Sequence, residues 1–216
     1  DICLRSGDFE CALLYESRAA ELDPLGTVQL TDLANVYSLM GQYDKVLDLV
    51  NRTLALDPGF VHAYRHLMDA SFMLGDTEGI AQTLAKIQSL EDFPEYEIAG
   101  FQFMLKLALG DHEQARNDNM RRAELARTGQ LAAVDVAIEA AMAGNFDLAG
   151  ELLLQAYHEK DGTWLYPLWI RLPEQAPDSA PWQEFWRQDG VADVAEIRRS
   201  HGFAPEKPVA AKGVGQ

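Results

Sequence analysis

The stretch "HAYRHLMD" places His62, His66 and Asp69 at i, i+4 and i+7. That spacing puts two imidazoles and a carboxylate on neighbouring turns of one helix, where a tetrahedral metal could use them. The same segment also commits Tyr64 and Leu67 to an apolar stripe, which turns two of the three polar groups to different sides. No cysteine or further histidine has a predictable place beside them. Solvated polar residues are the preferred reading, and no metal or other cofactor is expected. A Ser–His–Asp or Cys–His arrangement would need a convergent pocket, which no spacing here predicts. No glycine-rich phosphate loop is present, and Glu91-Asp92 reads as a solvated turn between helices rather than an acid–base pair. The chain is therefore not expected to be an enzyme.

The glycines that remain belong to a repeat. Gly7-Asp8-Phe9-Glu10, Gly41-Gln42-Tyr43-Asp44, Gly75-Asp76-Thr77-Glu78, Gly110-Asp111-His112-Glu113 and Gly144-Asn145-Phe146-Asp147 follow one another at 34, 34, 35 and 34 residues. The clearest unit is 27–60. Leu30, Leu33, Ala34 and Tyr37 recur at i, i+3, i+4 and i+7, which is one stripe of a helix. Gly41 permits the turn. Val46, Leu47, Leu49, Val50, Leu54 and Leu56 form a second helix, closed by Asp57-Pro58 because the residue before proline avoids the α region. The predicted fold is all-α. Each unit is a helix–turn–helix whose two apolar stripes cannot satisfy one another, so neighbouring units must stack. Five units are expected over 1–162: 1–26 (partial), 27–60, 61–95, 96–129 and 130–162.

The chain has 216 residues, of which 48% are hydrophobic, enough for a substantial core. A formal charge of -16 repels phosphate backbones and anionic lipid, so neither nucleic acid nor a membrane surface is an expected partner. No apolar run is long enough to span a bilayer. Cys3 and Cys11 flank the first glycine turn. A bridge between them is conceivable, but two buried thiols in a reducing compartment are preferred, so a cytoplasmic location is expected. Starting at Asp1 without Met, the chain is expected to begin inside a repeat.

These units resemble the tetratricopeptide repeat family. Leu33-Ala34, Tyr37, the Gly-x-Tyr-Asp turn, Val46 and Pro58 fall where that family has them. The other copies match with decreasing fidelity, and the fourth has Asn119 and Arg122 where apolar residues are usual. The resemblance covers about three quarters of the chain. It implies a right-handed superhelical solenoid in which the first helix of each unit lines a concave groove that holds a protein or peptide partner in extended form. Projected onto this sequence, the groove positions are Thr31, Asn35 and Ser38, then His62, Arg65, Asp69, Phe72 and Met73. Met104 and Leu107 follow, then Val134, Ile138 and Met142. Asn35 can both donate to and accept from a peptide backbone. Arg65 can hold a carboxylate, either a partner's or one on a neighbouring helix. The paired lysines and asparagines with which some family members clamp acidic tails are absent apart from Asn35, with Thr31 where a lysine would be wanted. Binding of such tails is not expected.

After Gly162 the period stops. "TWLYPLWIRLP" is rich in aromatics. "DSAPWQEFWRQDG" reads as a short helix capped by Asp178 or Ser179, with Pro181 in its first turn and a glycine at its end. "VADVAEIRRSHG" reads as another. Residues 163–204 are expected to form a tryptophan-rich helical cap over the last repeat, and 205–216 a flexible tail. This ending resembles that of bacterial signalling proteins in which such repeats follow a winged-helix DNA-binding or nucleotide-cyclase domain. The implied function is a non-catalytic protein-interaction module inside a larger regulatory protein. The alternatives are homodimerisation, and small-molecule sensing near the tryptophans.

Overall fold

The structure, a computed structural model, describes residues 2–5, 7–159, 178–193 and 196. The aromatic stretch 163–177, most of the second expected cap helix and the tail 205–216 lie outside the described residues. The described chain is helical, with no strand among the described residues: α1 (Ile2–Arg5), α2 (Phe9–Leu22), α3 (Thr27–Leu39), α4 (Tyr43–Leu56), α5 (Val61–Leu74), α6 (Thr77–Ile87), α7 (Glu95–Ala108), α8 (His112–Arg127), α9 (Ala133–Met142), α10 (Phe146–His158) and α11 (Ala180–Trp186). They divide between two compact units, Asp1–Ala108 and Leu109–Gln216. The division falls inside the fourth expected repeat, 96–129, between its two helices.

The recurring Gly-Asp has a double role. Gly7, Gly41, Gly75, Gly110 and Gly144 all take positive φ, between 69° and 81°, which lets the chain leave one helix without the steric penalty a Cβ brings. The next residue then caps the following helix. Asp8, Asp76, Asp111 and Asn145 accept hydrogen bonds from the backbone N–H groups of Cys11, Gly79, Gln114 and Leu148. Gln42 occupies the same place before α4 and makes no such bond.

In unit 1 each helix packs on the next, α2 on α3 through to α6 on α7. Leu30, Leu33, Ala34, Val46, Leu49, Val50 and Leu54 are buried, as the stripes require, whereas Leu56, at the last position of α4, is 45% exposed. Tyr64 is fully buried and donates its hydroxyl to the Pro58 carbonyl at 2.8 Å. Its ring meets Phe93 edge-on at 5.6 Å. Phe93 belongs to the segment 88–94, where Glu91 and Asp92 are exposed and Asp92 takes a φ of 61°.

The cysteines correct the sequence reading. Cys3 on α1 and Cys11 on α2 are joined in a disulfide, with Cα atoms 5.7 Å apart, rather than standing as two thiols. The turn at Gly7 lays α1 back on the first turns of α2, which brings the pair within bridging range. The cysteine argument for a reducing compartment falls with the thiols. Among the described residues, no helix is long and apolar enough to cross a membrane.

In unit 2, α8 packs on α9, α9 on α10 and α10 on α11. Ser179 fills the cap of α11, accepting from the Trp182 N–H at 3.3 Å, and a proline stands in the first turn. Trp182 and Phe185 are fully buried, and Trp182 meets Phe146 of α10 edge-on at 5.2 Å. Gly150 makes this close crossing possible. A Cβ there would stand 2.3 Å from the Trp182 backbone nitrogen and 2.4 Å from the Pro181 carbonyl carbon.

Candidate functional site

The first helices of successive hairpins in unit 1, α3, α5 and α7, are neighbours: α3 packs on α5, and α5 on α7. Their outward side chains therefore share one face. Of the residues expected there, Asn35 and Ser38 on α3 and His62, Arg65, Asp69 and Met73 on α5 are half-buried or exposed. The other four expected groove residues of unit 1 are buried within the helix packing. Thr31 is buried, and its hydroxyl donates back to the Thr27 carbonyl at 2.6 Å, the local bond a helical threonine makes when no other partner faces it. Phe72, Met104 and Leu107 are buried in the helix packing. On α9 in unit 2, Val134 is buried, and Ile138 and Met142 are half-buried.

Arg65 is tied to the next first helix while its side chain stays partly exposed. Its Nε donates to Glu97 Oε1 at 2.7 Å, and its Nη2 donates to the same oxygen. Glu97 lies on α7 and is buried. The carboxylate that sequence reasoning allowed Arg65 to hold is thus one of the chain's own. Glu97 stands 32 residues after Arg65, close to one repeat period. The period carried that signal, but only the packing of α5 against α7 shows that the two meet.

Burial raises the pKa of Glu16 on α2, and the neighbouring Asp32 on α3 adds to it. Burial likewise raises Asp32, while His62 pulls it back. Burial lowers His66 to about 4, helped by the neighbouring positive charges of His62 and Arg65, so it is neutral at physiological pH. Of the histidine–aspartate trio that opened the sequence reading, His62 and Asp69 are exposed and His66 is half-buried. No group of three or more His, Cys, Asp or Glu side chains suited to holding a metal occurs among the described residues.

A second polar cluster lies in unit 2. Arg122 on α8 donates from Nε and Nη2 to the two carboxylate oxygens of Glu139 on α9, both at 2.8 Å. Asn119 donates to Glu139 and to the Val136 carbonyl, both at 3.2 Å. The two residues that break the repeat pattern in α8 are therefore matched by a buried acid on the next helix. No known protein-family model matches the chain.

Proposed function

We propose that this chain is a non-catalytic interaction module of tetratricopeptide type that holds a protein or peptide segment across the face of α3, α5 and α7. The observation that carries this reading is the side-by-side packing of the three first helices. On these helices Asn35, Ser38, His62, Asp69 and Met73, from two separate hairpins, are half-buried or exposed. Amide, hydroxyl, imidazole and carboxylate groups there can pair with an extended backbone, and Met73 can adapt to a varied apolar side chain. Arg65 and Glu97 brace the floor instead of meeting the partner. The regulatory setting in a larger bacterial protein rests on the resemblance of the C-terminal segment.

Selection of a random peptide library on the purified chain tests this reading. Recovered peptides should lose affinity for Asn35→Ala and for His62→Ala/Asp69→Ala, by about tenfold for a lost pair of hydrogen bonds. They should keep their affinity for Glu124→Ala, on α8 of the other unit. Peptides indifferent to all three face substitutions, or a library that yields no binder, would refute it.

A further inference from the structure

Eleven large apolar side chains stand exposed among the described residues, and five of them fall within residues 14–28: Leu14 (68%), Tyr15 (65%), Leu22 (71%), Leu25 (70%) and Val28 (53%). At 3.6 residues per turn, Leu14, Tyr15 and Leu22 occupy an arc of about 100° on α2. That arc lies opposite the side carrying Phe9 and Ala12, which are buried. Leu25 follows the end of α2, and Val28 opens α3. Together the five expose on the order of 600 Å² over residues 14–28, a sizeable apolar area for a short stretch of chain. A standard interface buries roughly 800 Å² per partner, so this corner holds most of one half.

We propose that this surface is a two-fold interface between copies of the chain, formed by antiparallel pairing of α2 helices about Arg18. Such an interface must be complementary to itself. Leu14 and Leu22 each lie four residues from Arg18, on either side, so an antiparallel pairing sets Leu14 of one copy against Leu22 of the other. The charge at the centre is already compensated, because Arg18 donates to Glu21 of its own helix at 2.8 Å. In the dimer, each Arg18 is also within reach of the second copy's Glu21. A charge of -16 on each copy opposes association. Added salt screens that repulsion and tightens the dimer, whereas it would weaken the docking of a basic partner on the same acidic protein.

Sedimentation equilibrium of the full 216-residue chain at low and high salt tests the interface. A dimer is expected, tighter at high salt, with Leu14→Glu and Leu22→Glu each raising the dissociation constant by about tenfold or more. Arg18→Glu should weaken it, and Arg18→Glu/Glu21→Arg should recover it. Far-UV circular dichroism matching the parent chain shows that loss of the dimer is not loss of the fold. Asn35→Ala and His62→Ala/Asp69→Ala should leave the dimer intact, separating this interface from the peptide-binding face. A chain that stays monomeric under all conditions overturns the proposal. So does a dimer indifferent to both leucine substitutions, or growth into open-ended polymers.

Discussion

Arg122 lays two guanidinium nitrogens on the two oxygens of Glu139, each at 2.8 Å, and both side chains are only 11% exposed. A buried pair of this kind recovers only part of its own desolvation, so separating the two partners costs far more than replacing both. Arg122→Ala is expected to destabilise the chain by about 3–5 kcal/mol, because it strands a buried carboxylate. The pair Arg122→Met/Glu139→Leu should recover most of that loss. Urea unfolding of the three proteins measures both effects; equal loss in the single and double variants would show that shape, not charge, matters here.

Two ionisable groups give opposite pH signatures. Burial raises Glu139 above 4.5, despite the opposing pull of Arg122 and Asn119. The folded state then holds the proton more tightly than the unfolded one. This contribution is full below about 4.5 and is lost as pH rises through the raised value. His66 behaves in reverse. Lowered from 6.5 to about 4, it favours folding above 6.5 and loses that contribution as pH falls towards 4. Glu139→Gln should remove the first slope from a series of unfolding curves, and His66→Leu the second. NMR titration should find the His66 ring neutral down to about pH 4.

The contact between α10 and α11 depends on a missing side chain. Gly150→Ala would drive a Cβ into the backbone at Pro181 and Trp182, neither of which can yield like a flexible side chain. Loss of about 1–3 kcal/mol is expected, as for an overpacked core. Trp182 should move towards solvent, seen as a red shift in tryptophan emission. An unshifted spectrum with unchanged stability would mean that α11 is not docked there.

One turn lacks its cap. Gln42 precedes α4 without a side-chain bond to the helix, where the matching positions carry Asp or Asn. Gln42→Asp is expected to stabilise the chain by about 1 kcal/mol, and Asp76→Ala to cost about as much, because each adds or removes one satisfied helix N–H. Thermal unfolding compares them directly, and opposite shifts are the expected result.

The helices of unit 1 were largely legible in advance. Apolar stripes such as Leu30, Leu33 and Ala34, the glycine turns and the Asp57-Pro58 stop all act within a few residues, so the chain announces them by their spacing alone. The aspartates after the glycines carried a local capping signal too, although it is their side-chain bonds that make the role plain. Among the residues expected on a binding face, the sequence could not tell Asn35 and Asp69, which reach the surface, from Thr31 and Met104, which do not. That difference depends on how far each helix is rotated against its neighbours.

Amino-acid order alone thus determined that this protein is built from helical hairpins repeating about every 34 residues, because helix periodicity and turn chemistry are local properties. Only the tertiary structure decided that Arg65 belongs to Glu97, that Arg122 and Asn119 belong to Glu139, that Cys3 and Cys11 are bridged and that Gly150 must stay bare. Each of these depends on the distance and rotation between separate helices, set by the packing of many side chains at once, and no single spacing along the chain encodes that.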